Sequence, residues 1–235
     1  MTIWVYGDSY CTEDDVDYNW FKQISSITKQ TVIAKGVRGC SNNWIAQSIA
    51  QQSNEHKQGD WIIMVQTQED RQWFWEDKPE ACNWQNHADP VGVLGISRQE
   101  HAAAKQWLTH LYNRQDVAWT TFTNSTWLAA YAIPRSMRYL VIPGFINSIE
   151  PYNSFIGVQG TLTEFVSYRE FPDRASYQAA LRSPRGDARA NHLSPNNHAI
   201  LARKISDCVL GHSGELDLTK GFEIVKKEFT AEDYE

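Results

Sequence analysis

Three stretches of this 235-residue chain carry residue types at spacings that suit acyl transfer. The first is Gly7-Asp8-Ser9, directly behind the apolar run Ile3 to Tyr6. A Ser in the turn that ends a strand projects its hydroxyl into the space its own backbone N–H faces. A serine nucleophile needs both, an oxygen to attack a carbonyl carbon and a donor to hold the oxyanion that forms. The second stretch, DARANHLSPNNH, holds Asp187 and His192. His192 would take the Ser9 proton and return it to the leaving group, and Asp187 is the local carboxylate that would orient the imidazole. The third, QTQEDR, holds Thr67, Gln68 and Arg71 behind another apolar run. Arg71 would grip a substrate carboxylate or phosphate as a two-pronged fork. Asn42 and Asn43, shortly after Gly39, would face the same space. Each has a plainer alternative. Ser9 is then an ordinary turn residue, His192 a helix-entry residue and Asp187 a solvated carboxylate. Arg71 then pairs with Glu69, Asp70 or Glu76, and the two Asn cap a helix.

The elements that would position these residues are legible in the hydrophobic pattern. Ile3–Tyr6, Thr31–Ala34, Trp61–Val65 and Arg138–Ile142 are short apolar runs closed by turn residues, the pattern of buried strands. Helical spacing covers Tyr18–Ile27, the stretch capped by Ser41 that carries Ile45 and Ile49, Arg98–Arg114, and about Thr123–Ile133. Ser194-Pro195 opens a final helix over Asn196–Leu210, and a short one is expected around Ser176–Leu181. Strands alternating with helices predict βαβ units and a parallel sheet, and unbroken apolar strands predict helices over both faces. Ser9 then lies at the carboxyl edge of the sheet, where such proteins bind ligands. The expected architecture is a three-layer α/β/α domain over residues 1–213, with a flavodoxin-like parallel sheet of about five strands. An aromatic-rich insertion is expected around 67–97, and 214–235 form a tail or edge strand.

Composition narrows the classes. A net charge of −6 forces no basic face, which argues against nucleic-acid binding. No stretch approaches the roughly 18–20 apolar residues of a membrane span. MTIWVYGDSY reads as a core strand rather than a signal peptide, and the four scattered Cys, with no CxxC pair, as reduced thiols. The expected location is therefore cytoplasmic. Cys11 and Cys40 flank the two rim turns as small buried thiols. No cofactor is implied: the chain lacks GxGxxG and GxxxxGK[ST], which disfavours a nucleotide binder, and His192 and His198 do not have a helical metal-ligand spacing. All ten Trp lie between Trp4 and Trp127. Trp4, Trp20, Trp44, Trp61, Trp107, Trp119 and Trp127 fall on predicted elements and are expected in the core. Trp73, Trp75 and Trp84 fall in the insertion, where they would wall a substrate cleft or form a small core of their own.

Gly7-Asp8-Ser9, Gly39 behind the second strand and His192 before the last helix together resemble the SGNH (GDSL-type) hydrolases. The NHLSPNNH ending and the Arg and aromatics after the third strand are also similar to SGNH-like proteins of tailed phages. The resemblance covers roughly residues 1–75 and 185–210. It implies an esterase or carbohydrate deacetylase with Ser9 as nucleophile, His192 as base, and the N–H groups of Ser9 and Gly39 as oxyanion donors. Asp8, Asn42, Thr67, Arg71, Trp73 and Trp75 would line the substrate site, for a small-molecule or carbohydrate ester. The chain departs from the family at two points. No Asn stands in the third block, where Gln68 is nearest and its amide would donate instead. Arg189 occupies the usual acid position three residues before His192, with Asp187 five before it. These departures motivate the alternative, a catalytically weak or inactive carbohydrate-binding or structural module, phage-associated and located in the host cytoplasm or the virion. The sequence does not specify an oligomeric state.

Overall fold

Strands β1 (Thr2–Gly7), β2 (Thr31–Gly36), β3 (Trp61–Gln66) and β4 (Arg138–Pro143) pair in parallel in the order β2-β1-β3-β4. The structure is a computed structural model, and it describes residues 1–12, 18–68, 71, 90–110, 114–144, 157–160, 162 and 193–222. The helices are α1 (Trp20–Thr28), α2 (Asn42–Gln51), α3 (Pro90–Leu94), α4 (Arg98–His110), α5 (Arg114–Ala132) and α6 (Pro195–Val209).

The strand order explains the helix placement. The chain moves sideways in one direction from β1 to β2, then back past β1 to β3. Right-handed crossovers in opposite directions put their helices on opposite faces. Ile3, Val5, Ile63 and Leu140 accordingly point into a cluster with Trp20, Phe21 and Ile24 of α1 and Leu201 and Ile205 of α6. The alternate positions Trp4, Tyr6, Ile62, Met64 and Val141 point into a second cluster with Ile45 and Ile49 of α2 and Leu128 and Ala132 of α5. Covered on both faces, β3 is buried at all six positions, and each large aliphatic side chain so buried contributes about 1.5–3 kcal/mol.

Local chemistry sets the boundaries. Ser41 accepts the Trp44 N–H and caps α2, and Ser194 accepts the Asn197 N–H and caps α6 with Pro195 at the first helical position. β2 ends in Gly36 because a Cβ there would lie 2.4 Å from the backbone carbon of Cys11. The turn after β1 packs directly on the end of β2, and only glycine leaves room.

The observed elements differ from the sequence pattern in several places. α5 begins at Arg114 rather than near Thr123, since RQDVAWTT shows no apolar stripe to reveal a helix. α3, opened by Pro90, falls in a stretch that reads as irregular. A separate pair of strands, β5 (Gly157–Gln159) and β6 (Glu215–Asp217), is parallel, and Leu216 joins the α1–α6 cluster. Trp119 corrects the core expectation: it is 51% exposed, on the N-terminal half of α5. Among the residues of α5 whose burial is described, the first buried one is Leu128. The expected helix around 176–181 and the aromatics Trp73, Trp75 and Trp84 lie outside the described residues.

A polar chain crosses the α2–α5 cluster. The Tyr6 hydroxyl donates to Gln52 Oε1 at 3.2 Å and lies 2.8 Å from His56 Nε2, and His56 Nδ1 lies 2.8 Å from the Tyr131 hydroxyl. With the Tyr6 proton on Gln52, its oxygen accepts from Nε2–H, so Nδ1 accepts from Tyr131. Burial lowers the His56 pKa below its ordinary value, against the opposing pull of Asp60 and Glu55.

Candidate active site

β1 and β3 are neighbours, while the chain leaves β1 for β2 on its other side. The crevice beyond the carboxyl ends of β1 and β3 is therefore the switch point of this sheet, the usual ligand position in open parallel sheets. Asp8 and Ser9 follow β1 there, and Thr67, Gln68 and Arg71 follow β3.

Asp8 is fully buried. Its Oδ1 accepts the Tyr10 N–H at 3.1 Å, which caps the short 3-10 turn Ser9–Cys11. Its Oδ2 accepts from Arg71 Nη1 at 2.7 Å and from Thr67 Oγ1 at 3.0 Å. Asp8 therefore ties the turn after β1 to the segment after β3. Arg71 pairs with this carboxylate, and its side chain is 9% exposed; Glu69, Asp70 and Glu76 lie outside the described residues. The same cation donates through Nε to Gln68 Oε1 at 3.2 Å. Thr67 is locked from a third direction: Asn42 Nδ2 donates to its carbonyl at 3.0 Å, and its N–H donates to Asn42 Oδ1 at 2.9 Å. Asp8, Asn42 and Thr67 thus hold the rim together with the same polar atoms the sequence offered for substrate.

Ser9 is different. It is half-buried, and its carbonyl accepts from Thr12 Oγ1 at 3.1 Å. Among the described residues neither its hydroxyl nor its N–H has a hydrogen-bond partner. The first residue of a helical turn has an orphan N–H for geometric reasons, so a hydroxyl and an N–H donor, both without partners among the described residues, sit on one residue. Gly39 is buried in a tight turn with φ of 74°, a backbone conformation that favours glycine. Its N–H also lacks a partner among the described residues. Gln68 is the third such group: with Oε1 facing Arg71, its amide NH2 is turned away and makes no bond among the described residues.

His192 and Asp187 lie outside the described residues, but the chain resumes next to His192 in a firmly placed way. Leu193 is fully buried in the α1–α6 cluster. One turn into α6, His198 Nδ1 accepts the Trp20 N–H at 3.3 Å, at the start of α1. Trp20 Nε1 in turn donates to the Tyr10 carbonyl at 2.8 Å. The start of α6 is therefore linked through Trp20 to the residue that follows Ser9.

Gln66 was not singled out by the sequence pattern. Its side chain is fully buried on the face of Ile62 and Met64, and neither amide atom has a hydrogen-bond partner among the described residues. A buried unmet polar group costs about 1–3 kcal/mol. The available signal was a polar residue closing the apolar run WIIMVQ. Cys11, Cys40 and Cys208 are buried free thiols. Burial, and then the neighbouring Asp8, push the Cys11 thiol well above its usual range, which makes it a poor nucleophile. Among the described residues no three His, Cys, Asp or Glu side chains gather to hold a metal, and no helix is long and apolar enough to cross a membrane.

The fold and this rim define a parallel α/β protein with a serine and several free donors at its switch point. Comparison with protein-family models, curated proteins and solved structures finds no match to the chain.

Proposed function

We propose that the chain is a serine esterase of SGNH type, built on a three-layer, flavodoxin-like α/β/α frame, that hydrolyses a small acyl ester, with an acetylated carbohydrate as leading substrate. Ser9 attacks the acyl carbon. His192 takes its proton and delivers it to the leaving alcohol, with Asp187 orienting the ring. The N–H groups of Ser9 and Gly39 and the Gln68 amide hold the oxyanion. Water then releases the acyl group with His192 as base. The observation that carries this reading is a hydroxyl and an N–H on Ser9, both without a partner among the described residues, at the switch point and in a turn braced by buried Asp8. The Trp20 link from Tyr10 to the start of α6 adds support, because it ties the segment behind His192 to this edge. Arg71, neutralised by Asp8, positions the site rather than drawing an anionic substrate. A cytoplasmic setting agrees with the free thiols.

The test is labelling by a fluorophosphonate and hydrolysis of p-nitrophenyl acetate, with Ser9→Ala as control. Labelling at Ser9, abolished in the variant, is expected. A native protein that neither labels nor hydrolyses above Ser9→Ala overturns the reading. The outcome would then favour the alternative, a carbohydrate-binding or phage structural module on the same frame, which the Gln at position 68 and the Arg at position 189 motivate.

A further inference from the structure

We propose that Arg71 is the positioning residue of the oxyanion site: it selects the orientation in which Gln68 offers its NH2 to substrate, and Asp8 holds it there. This inference rests on the Ser9 reading. A glutamine amide has nearly the same shape in either flip, and its three side-chain torsions leave it loose in a rim. The partner decides which end points where. An arginine Nε–H can only donate, so its 3.2 Å contact assigns the near atom as Oε1 and turns Nε2 the other way. The Arg71 backbone N–H also donates to the Gln68 carbonyl at 3.3 Å. One residue thus grips both the main chain and the side chain of Gln68.

Arg71 is itself fixed. Nη1 lies 2.7 Å from the fully buried Asp8 carboxylate, which also receives Thr67 Oγ1 and the Tyr10 N–H. A continuous chain therefore runs from Tyr10, next to the nucleophile, through Asp8 and Arg71 to the Gln68 amide. A cation bonded to the amide oxygen draws electron density from the nitrogen and strengthens its N–H groups as donors. Arg71 sets the direction and the strength of the donor without touching substrate.

The test measures p-nitrophenyl acetate hydrolysis and fluorophosphonate labelling for the full chain and for Gln68→Ala, Arg71→Lys and their double variant. Lys keeps a cation beside Asp8 but has no Nε–H fork to hold Gln68. Gln68→Ala is expected to lower kcat by about 10²–10³-fold, the usual loss for one oxyanion donor. Arg71→Lys is expected to lower kcat by about 10-fold or more at little changed KM, and the double variant to equal Gln68→Ala alone. Asp8→Asn with Arg71→Met removes both charges, leaves Gln68 unheld, and is expected to show the same kcat loss; it serves if Arg71→Lys does not fold. Three results overturn the inference while leaving Ser9 as nucleophile: losses that multiply in the double variant, a native kcat in either Arg71 variant, or a raised KM at native kcat, which would make Arg71 a substrate ligand. A native protein that does not label at all sinks the Ser9 reading and this inference together.

Discussion

Asp8→Asn is expected to destabilise the protein by about 3–5 kcal/mol, the usual cost of breaking a buried ion pair from one side. The structure shows why the cost falls at the upper end of single substitutions. An amide keeps an acceptor for the Tyr10 N–H, the Oδ1 contact at 3.1 Å. On the other side it presents an NH2 to Arg71 Nη1, which now lies 2.7 Å from Oδ2. Thr67 can turn its hydroxyl to accept, but the guanidinium cannot accept and loses the Asp8 charge at 9% side-chain exposure. For a chain of this length, 3–5 kcal/mol corresponds to a fall in Tm of roughly 6–20 °C. Adding Arg71→Met should recover much of the loss, because it removes the charge that faces the new amide, and a coupling of about 2–3 kcal/mol is expected. Urea denaturation followed by Trp fluorescence, for the native protein, both single variants and the pair, measures each quantity. A single-variant loss under about 1 kcal/mol, or a strictly additive pair, would refute the argument that this contact joins the two strand ends.

Other parts of the structure make separate predictions. Gly36→Ala should cost about 1–3 kcal/mol, as overpacking does, because the added Cβ meets the Cys11 and Thr12 backbone, which cannot rotate away; an unchanged Tm would mean that the turn after β1 is not seated on β2. Stability should fall as pH drops below about 6.5, since the unfolded His56 takes a proton before the folded one, whose pKa burial lowers. The fall ends below the folded pKa, and His56→Gln should flatten it; equal denaturation midpoints at pH 7.5 and 5.5 would count against the Tyr6–His56–Tyr131 chain. Trp20→Ala should cost about 3–5 kcal/mol as a large-to-small core change, whereas Trp119→Ala, at 51% exposure, should stay within about 0.5 kcal/mol; similar losses at the two sites would show that the start of α5 is packed.

What the sequence disclosed follows from where its signals are local. β1, β3 and β4 were legible because strands buried on both faces read as apolar runs; the edge strand β2, which is only partly buried, was legible from its short apolar run; and α2 and α6 were legible because Ser41 and Ser194 mark their starts with side-chain caps. α5 was only half legible, since its first turns, RQDVAWTT, carry no apolar stripe to reveal a helix. Trp119 misled because an aromatic on a helix is core only when it lies on the covered face, and Trp119 is 51% exposed. The Asp8–Arg71 pair was not legible at all. Its partners are 63 positions apart, while Glu69 and Asp70 stand beside the arginine. The adjacency of β1 and β3 brings Asp8 to the arginine, and adjacency is a property of strand order rather than of either segment.

The same adjacency bears on how the rim can serve chemistry. A donor aimed at a developing oxyanion must stay unsatisfied until substrate arrives, and an unsatisfied donor tends to collapse onto the nearest carbonyl. The rim prevents this by holding each free group through other atoms of the same residue. Ser9 is held through its carbonyl by Thr12 and through the cap that Asp8 places on Tyr10. Gly39 is held by a turn closed from Val37 to Cys40, and Gln68 by Arg71. Asp8 is the part shared between two of the three, and its charge is already matched by Arg71, so it does not compete to orient an incoming imidazole. A carboxylate next to the serine thus works as a brace; in the proposed esterase the acid role falls to Asp187.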